Sequence, residues 1–220
     1  PSIWGTGLPR TTARSEYFAR GVADTAQPLP WWPGVARIIG NGFVNGEPFE
    51  ACPRQVLLRQ IQRLTERSFT LQVGMEPEFF LLKKVGDDWQ PFDDADRLDR
   101  PSYDLKSLPR QAPFLHALHQ ALKDASMDVL QIDHEDAHGQ YEVNFAHADA
   151  LTTADRLMFF KLAAHHYAEQ QGAVFSMMPK PFADQPGSGL HCHVSLWSEG
   201  RNVFANKDAL LSPTAHHFIA

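Results

Sequence analysis

The sequence predicts a mixed α+β fold in which most strands pair antiparallel. Strand-like segments with alternating polar and apolar residues are interspersed with amphipathic helical segments, and long connections join the strands. Two segments, 35–50 and 128–148, have the strand–turn–strand pattern of a hairpin. The sequence contains no internal repeat and no low-complexity tract.

The first 35 residues are rich in Gly, Pro, Thr and Arg, which predicts a loop. The hairpin that follows turns at Asn41-Gly42, or at Asn45-Gly46 if the first pair forms a bulge. Next come a helix beginning at Pro53, a strand over 69–84 interrupted at Gly74, an exposed loop over 85–108 and a helix over 113–126. They are followed by a strand–turn–strand unit with Gly139 in its turn and by a helix over 151–172 that is capped by Thr152 or Thr153 and ended by Gly172. The last predicted elements are a strand within 173–182, a tight loop over 186–189, a strand over 190–197 and a final helix capped by Ser212.

Composition and charge exclude several classes of protein. The chain of 220 residues is 43% hydrophobic and 21% charged, which is ordinary for one large domain or a domain with part of another. A net charge of −6 with no basic face argues against nucleic acid as a partner. No apolar run approaches the ~20 residues of a membrane span. Cys52 and Cys192 are far apart, so we expect unpaired thiols and a cytoplasmic protein.

Both ends of the sequence are abrupt. It opens with PSIWGTGLPR and no initiator Met, and no secretory segment follows. The last segment begins like a helix, with Ser212 as N-cap and Pro213 at the first helical position, and stops while still apolar. We therefore expect the sequence to be a piece of a longer protein, cut at both ends.

Two acidic residues lie on the strand predicted over 69–84. Glu76 and Glu78 are two positions apart, so their side chains point to one face of the strand. The apolar residues around them favour a central strand. Pro77 lies between them and favours an edge strand or a bulge instead, with two solvated acids. The sequence leaves both interpretations open.

A second acidic pair flanks the turn at Gly139. A hairpin would bring Glu135 and Glu142 together. A solvated acidic turn explains Asp133 and Asp136 well, but it does not explain Glu142, which alternates with large apolar residues in YEVNF. Like charges are costly to bury unless an opposite charge lies between them, and a metal ion is the simplest such charge.

Histidines supply a different kind of ligand on the strand over 190–197. His191 and His193 alternate on one face of that strand, with Cys192 pointing away. Each of the two could equally be a hydrogen-bonded core histidine. The adjacent histidines at 165–166 and 216–217 lie on predicted helices, where neighbours diverge by about 100° and cannot share one ion.

The combined donor set favours a particular class of metal. Four carboxylates with one or two imidazoles are dominated by oxygen, which suits Mg²⁺ or Mn²⁺ more than zinc. Four acids can balance two divalent ions, and two such ions suit reactions at phosphate. The loop PGSG at 186–189 leads into a strand, so it is not a P-loop.

Seven motifs together resemble the glutamine synthetases and related glutamate–amine ligases. They are LPWWPGVARI, CPRQVL, GMEPEFFLL, HEDAHGQYEVNF, ADRLMFFK, MPKPF and GSGLHCHVSLW. The version QIDHEDAHGQYEVNF is most similar to the type III branch, which includes γ-glutamylmethylamide synthetases. The resemblance implies a catalytic half-barrel of antiparallel strands with flanking helices. Residues 1–50 would be the tail of a β-grasp domain with a linker, and 51–220 the N-terminal half of the catalytic domain.

The resemblance also implies roles for eight residues. Glu78, Glu135 and Glu142 would hold one metal, and Glu76 with His191 would hold most of the second. Three further positions would contact substrates: His193 and Ser195 the nucleotide, and Gly187 the glutamate. The catalytic residues themselves would lie mostly outside this chain, since the remaining metal carboxylate, the substrate-binding arginines and the active-site flap are expected beyond Ala220.

The activity that the resemblance implies is ATP-dependent ligation of glutamate with ammonia through γ-glutamyl phosphate, with two or more Mg²⁺ or Mn²⁺ per site. One alternative is a ligase that uses methylamine, another small amine or a polyamine. Others are a catalytically silent scaffold and a zinc-dependent hydrolase using His191 and His193. The family forms ring-shaped homo-oligomers, usually of two stacked rings, and we expect no nucleic acid or membrane partner.

The sequence departs from the family pattern at two places. Pro186 stands where ammonia-using enzymes commonly carry Asn, which changes the expected shape of the amine pocket. Near Leu130 and Gln131, a Glu that often contacts the nucleotide is missing.

Overall fold

The computed structural model describes residues 16–208 and 210–220. Its strands are β1 (Tyr17–Gly21), β2 (Gln27–Pro28), β3 (Ala36–Arg37), β4 (Gly40–Val44), β5 (Glu47–Pro48), β6 (Thr70–Val85), β7 (Asp88–Pro91), β8 (Val129–His134), β9 (Gln140–Asp149), β10 (Val174–Ser176), β11 (Leu190–Ser198) and β12 (Arg201–Asn202). Its α-helices are α1 (Pro53–Thr65), α2 (Ala112–Asp124), α3 (Ala150–Gln170) and α4 (Pro213–Ile219), and short 3-10 turns span Ala23–Thr25 and Leu108–Gln111. Among the described helices, none combines the length and hydropathy that a bilayer-crossing helix requires.

Three sheets contain these strands. The largest has seven strands in the order β12-β11-β6-β9-β8, with β7 and β10 also paired to β6. A three-stranded sheet has the order β1-β4-β5, and β2 pairs with β3 alone. The pairs β8–β9, β6–β7, β6–β10 and β11–β12 are antiparallel. The mixed α+β class and the antiparallel pairing predicted from the sequence are therefore confirmed.

The chain divides into two compact units. One comprises the described residues up to Gln72 together with Asp149–Thr152 and the described part of Ser195–Ala220. Its small core consists of Phe49 and Cys52, against which Tyr17 and Val44 pack. The other unit comprises Val73–Ala148 and Thr153–Val194 and holds the larger core.

An aromatic cluster forms the core of the larger unit. Phe79 on β6 is fully buried, and its ring lies 5.1 Å from that of Phe175, 5.8 Å from that of Phe160 and 6.0 Å from that of Phe114. These partners come from β10, α3 and α2, so the cluster fastens two helices to one face of the sheet. Aromatic rings of this size supply much of the free energy of burial in a core.

The central strand β6 is buried on both faces. Phe80 and Leu82 point away from the aromatic cluster and pack with Ala137 and Phe182. Burial on two faces explains the unbroken apolar run FFLL, since a half-buried strand would alternate. The predicted interruption at Gly74 is wrong, because β6 runs through it, and a Cβ at this position would lie in ordinary van der Waals contact with the Cβ atoms of His147 and His193.

Pro77 does not mark an edge strand. Strand β6 lies between β11 and β9 in the sheet, so the edge interpretation of the segment around Pro77 is wrong. The next residue, Glu78, donates its backbone N–H to the Gly189 carbonyl at 3.3 Å, just before β11 begins. Pro77 has no backbone N–H to donate, and the chain accommodates it because the next residue makes the hydrogen bond to Gly189.

The N-terminal hairpin turns at the second of the two predicted positions. Asn45 and Gly46 both have positive φ (53° and 85°), as a two-residue hairpin turn of type I′ requires. Asn41 and Gly42 lie inside β4, which pairs with β1 in regular register without a bulge. The loop predicted for the first 35 residues is wrong at β1 and β2, and residues 1–15 lie outside the described part.

Two further predictions need correction. The predicted loop over 85–108 contains strand β7, because Gly86 with φ of 62° allows a turn back along β6. The cap of α3 is Asp149, whose Oδ1 accepts hydrogen bonds from the N–H groups of Leu151 (3.1 Å) and Thr152 (3.0 Å). Thr153 is buried instead and donates its hydroxyl to the Val73 carbonyl at 2.9 Å.

Several local signals are confirmed. Pro53 occupies the start of α1, and the Ser212 hydroxyl caps α4 by accepting from the N–H of Ala215 at 3.1 Å. Gly139 and Gly172 have φ of 70° and 75°, as their predicted positions in a turn and after a helix require. Both cysteines are free thiols, as predicted.

Candidate functional site

Strand β9 separates a polar face from the core. Tyr141 and Val143 are fully inaccessible and point into the aromatic core. The residues between and beside them, Gln140, Glu142 and Asn144, point to the opposite face, as the period of two requires. Asn144 donates its amide to Glu142 Oε1 at 2.9 Å. The chain thereby fixes the orientation of a carboxylate that is only 8% exposed.

The acids of β6 lie beside the histidines of β11. Glu76 Oε2 lies 3.2 Å from His191 Nδ1, and Glu76 Oε1 lies 3.0 Å from His193 Nε2. Glu78 Oε1 is 3.9 Å from His191 Nε2. The hydrogen bond from His193 holds the pKa of Glu76 below its ordinary value, against the opposing effect of burial. The predicted H-x-H face therefore points at the predicted acidic face.

Three of the predicted metal ligands converge. Glu76, Glu142 and His191 each offer one ligand atom within 4.8 Å of the other two. The structure does not place Glu78 or Glu135 in that group, although both lie near it. The predicted division into one ion held by Glu78, Glu135 and Glu142 and a second held by Glu76 and His191 stays a prediction.

Like charges perturb the acids on the hairpin. Burial, together with the negative charges of Glu142 and Glu78, raises the pKa of Glu135 to about 7. Burial also raises the pKa of Glu142, together with the charges of Glu76 and Glu78. Carboxylates crowded in this way repel one another, and a cation between them removes the repulsion.

The donor set fits a divalent cation. Its carboxylate oxygens are hard ligands, and one imidazole nitrogen completes a mixed set that Mg²⁺ or Mn²⁺ accepts. The buried side-chain oxygen of Asn144 has no hydrogen-bond partner among the described residues. The amide group of the same side chain donates to Glu142, and an unpaired buried oxygen beside that carboxylate agrees with a site that binds a polar ligand.

A loop before β11 is tied to the acidic face through Gln140, a residue that the sequence did not single out. The Gln140 amide nitrogen lies 3.1 Å from Glu78 Oε2, from the Gly187 carbonyl oxygen and from Ser188 Oγ. A Cβ on Gly187 would collide with the Pro179 carbonyl oxygen, so this position requires glycine. The loop that carries Gly187 is thus held beside a predicted metal ligand.

Other predicted contacts lie at or away from this cluster. His193 is 67% exposed and touches Glu76, as described. Ser195 belongs to the smaller unit, where its hydroxyl accepts a hydrogen bond from Trp197 Nε1 at 2.9 Å. Their assignment to the nucleotide stays a prediction.

Tyr103 lies near the acidic residues of the hairpin. Its backbone has a positive φ of 59°, and the negative charge of Glu135 raises the pKa of the Tyr103 hydroxyl.

A buried charge pair behind the turn was also not predicted. Asp96 comes from the segment after β7 and contacts His134 at the end of β8, with Nε2 and Oδ2 2.8 Å apart. Burial opposes the charge on both, but their mutual hydrogen bond lowers the pKa of Asp96 and raises that of His134. The one sequence signal for this pair was His134, a histidine next to Glu135 that has no side-chain partner within β8.

Replacing Glu135 with Gln is expected to stabilise the metal-free protein above the raised pKa of about 7. The unfolded chain ionises Glu135 near its ordinary pKa, so folding stability is lost as the pH rises from that value to about 7. The variant lacks this loss and should be more stable by about 1 kcal/mol after solvent screening is allowed for. Thermal unfolding of chelator-treated full-length protein, at acid and alkaline pH, measures the difference.

Glu169 provides the matched control for this change. It is an exposed glutamate near the end of α3, so Glu169→Gln should leave the stability unchanged at both pH values. A Glu135→Gln protein that is no more stable than the parent at alkaline pH would show that Glu135 is not under charge repulsion.

Known proteins similar to this chain identify its family. Residues 50–220 match the family model described as "Glutamine synthetase, catalytic domain". The chain belongs to the glutamine synthetase family. It is 44% identical over 224 residues to the glutamate–methylamine ligase of Methyloversatilis universalis and 33% identical over 220 residues to the glutamine synthetase of Rhizobium meliloti. These alignments cover 100% and 98% of the chain but only 50% of each relative, so the chain spans about half their length.

Solved structures of family members share the fold. The structure described as "GmaS/ADP complex-Conformation 1" superposes with a TM-score of 0.91 at 35% identity, over 100% of this chain and 51% of its own. A Plasmodium falciparum glutamine synthetase superposes with a TM-score of 0.83 at 23% identity, over 99% of this chain and 49% of its own. The predicted fold class, a glutamine synthetase-like catalytic half-barrel of antiparallel strands with flanking helices, is confirmed.

Proposed function

We propose that the protein containing this chain is an ATP-dependent ligase that joins glutamate to ammonia or to a small primary amine through γ-glutamyl phosphate. The observation that supports this most directly is the convergence of Glu76, Glu142 and His191 on one cluster of ligand atoms. Family membership supplies the reaction class, since the relatives named above are a glutamine synthetase and a glutamate–methylamine ligase.

The proposed site would hold two or more Mg²⁺ or Mn²⁺ ions. Glu78, Glu135 and Glu142 would hold one ion, and Glu76 with His191 would hold most of the second. The closeness of the ligand atoms of Glu76, Glu142 and His191 supports neighbouring sites that share this face. When bound, such ions screen the repulsion between the glutamate carboxylate and the phosphates of ATP. The oxygen-rich donor set favours Mg²⁺ or Mn²⁺ over zinc and argues against the zinc hydrolase alternative.

The remaining residues would place the substrates around that cluster. The loop at Gly187 would approach glutamate, and Gln140 would keep that loop next to the Glu78 side chain through its hydrogen bonds to both. His193 and Ser195 would lie along the nucleotide. The γ-carboxylate attacks the terminal phosphate of ATP and releases ADP, and the amine then displaces phosphate from the acyl group.

Domain organisation, assembly and location are part of the same proposal. The three-stranded sheet β1-β4-β5 lies within residues 1–50, which supports the tail of a β-grasp domain there and the N-terminal half of the catalytic domain over 51–220. We expect a ring-shaped homo-oligomer, with two stacked rings, in the cytoplasm and without nucleic acid or membrane partners. The mass of the full-length protein in solution, by light scattering, checks the assembly.

Phosphate release by the full-length protein tests the activity. Glutamate, ATP and Mg²⁺ or Mn²⁺ are supplied with ammonia, methylamine, ethylamine, ethanolamine or putrescine in parallel. Turnover that depends on one or more of these amines is the expected result, and 44% identity to a glutamate–methylamine ligase favours methylamine as the acceptor to compare first with ammonia. Silence with every amine, together with normal binding of ATP and cation, would contradict the proposal and support the scaffold alternative.

Pro186 is the first residue to test for amine selectivity. It is exposed and directly precedes Gly187, at the position where the ammonia-using enzymes commonly carry Asn. Pro186→Asn is expected to shift the ratio of kcat/KM values toward ammonia, by about threefold to tenfold, because pocket shape rather than chemistry changes. Pro181→Asn, in the same connection but not beside Gly187, is the control. Equal ratios of the kcat/KM values in both variants and the parent would show that Pro186 does not shape the amine pocket.

A further inference from the structure

A buried pair of side chains, Asp96 and His134, lies behind the turn between β8 and β9. The side chains of Asp96 and His134 are both inaccessible to solvent, and Asp96 Oδ2 lies 2.8 Å from His134 Nε2. The same oxygen accepts a hydrogen bond from the Gly139 N–H at 2.6 Å. The other ring nitrogen, His134 Nδ1, lies 2.8 Å from the carbonyl oxygen of Glu135. Asp96 and His134 therefore connect the two ends of the turn that carries Glu135.

The contacts of His134 fix the orientation of its ring. A backbone carbonyl can only accept a hydrogen bond, so the Nδ1 that faces Glu135 carries a proton. The Nε2, on the opposite edge of the ring, contacts Asp96 Oδ2. Both ring nitrogens are therefore held, one by the backbone of Glu135 and one by the side chain of Asp96.

Stability alone does not account for this pair. Desolvation of two polar side chains offsets most of the free energy that their hydrogen bond supplies, and an apolar pair of similar volume often stabilises a core at least as well. Asp96 Oδ1 is buried and has no hydrogen-bond partner among the described residues, which adds to the cost. The contacts that the pair makes with the backbone of the turn therefore matter more than its packing.

The pair fixes the backbone of Glu135. The N–H of Glu135 donates to the Gln140 carbonyl at 2.9 Å, and its own carbonyl accepts from His134, so both of its peptide groups are held. His134 packs on the core side, with its ring centroid 5.0 Å from that of Tyr141. The side chain of the next residue, Glu135, leaves the chain on the opposite side, where the charge of Glu142 acts on it.

We infer that Asp96 and His134 are positioning residues that hold the Glu135 carboxylate in place for a bound cation. Neither would touch the cation; the hydrogen bond from His134 to the Glu135 carbonyl transmits the constraint, and Asp96 orients the imidazole ring and anchors Gly139. The inference rests on the proposed function, because that function gives Glu135 a cation to bind.

Two substitutions of His134 separate its two contacts. In His134→Asn, the side-chain amide can occupy the place of Nδ1 and still donate to the Glu135 carbonyl, while the contact with Asp96 is lost. In His134→Gln, the longer amide reaches the place of Nε2 and Asp96, while the contact with Glu135 is lost. The affinity of the full-length protein for Mn²⁺, by isothermal titration calorimetry below the unfolding temperature of each variant, is the readout.

We expect His134→Gln to bind Mn²⁺ about tenfold more weakly than the parent, as loss of a residue that orients a ligand commonly does. His134→Asn should lose much less affinity, although both variants unfold at lower temperature than the parent. Leu118→Ala is the control for a core lesion, because Leu118 is fully buried on α2 and has no part in the turn. It should lower the unfolding temperature and leave the Mn²⁺ affinity unchanged.

The possible results decide between a positioning role and general destabilisation. Parental affinity in the folded His134→Gln protein, or equal losses in the two His134 variants, would overturn the inference. A comparable loss in Leu118→Ala would do the same, since destabilisation would then explain the effect. If the parent itself binds no Mn²⁺, the proposed function fails, and this outcome is distinct because it appears before any variant is measured.

Discussion

Glu142→Gln is expected to weaken Mn²⁺ binding by the full-length protein by about 100-fold or more, equivalent to about 2.7 kcal/mol. Glu142 is the buried member of the group that it forms with Glu76 and His191, and its orientation is fixed by Asn144. Glutamine retains the size of the side chain but removes the negative charge, and a neutral amide is a far weaker ligand for a hard cation. Calorimetric titration with Mn²⁺ and Mg²⁺ measures the loss.

The same variant should not be less stable without metal. Burial and the charges of Glu76 and Glu78 raise the pKa of Glu142, so removing its charge relieves repulsion in the metal-free protein. Thermal unfolding with chelator present checks this and excludes misfolding as the cause of weak binding. Glu169→Gln is the control and should bind Mn²⁺ like the parent. Unchanged Mn²⁺ affinity in Glu142→Gln would show that Glu142 is not a metal ligand.

Gly139→Ala is expected to destabilise the protein by about 3 to 4 kcal/mol. Its φ of 70° is costly for any residue with a Cβ, and that Cβ would lie 2.9 Å from the Leu81 carbonyl oxygen and 3.1 Å from Pro91 Cβ. The obstacle is the backbone of the central strand, which also donates from Leu81 N–H to the Gly139 carbonyl at 2.8 Å. Urea unfolding of the full-length protein measures the change.

Gly172→Ala separates the two parts of this cost. Gly172 has nearly the same φ, 75°, but a Cβ there would meet nothing within 4 Å. It should therefore lose only the backbone contribution, about 1 to 2 kcal/mol. Equal losses in the two variants would mean that the close approach of Gly139 to β6 contributes nothing to stability.

Local signals in the sequence predicted much of the fold. The Asn45-Gly46 turn, the Ser212 cap and the positive φ of Gly139 and Gly172 each depend on residues within a few positions of one another. The prediction failed at the cap of α3, where a partner distant in sequence decides. Asp149 caps α3 in place of Thr152 or Thr153, because Thr153 finds a partner in Val73, which is 80 residues away in the sequence.

Glu142 was predictable as a site residue because it breaks an apolar pattern. Glu142 alternates with Tyr141 and Val143, so the period of a strand places it on the face opposite the core. The grouping of its ligand atoms with those of Glu76 and His191 was not predictable in detail. That grouping depends on the sheet order β11-β6-β9, which sets strands from distant parts of the sequence side by side.

The sequence by itself determined the fold class and the faces of the strands that carry Glu76, Glu142 and His191, because these follow from residue type and spacing, and it predicts a preference for a hard divalent cation. Only the tertiary structure decided that β6 runs unbroken through Gly74. It alone revealed the hydrogen bonds of Gln140 and the buried pair Asp96–His134, which lies 38 residues apart in sequence. A hydrogen bond between distant segments leaves no periodic signal, so its partners become visible only when the sheet brings them together.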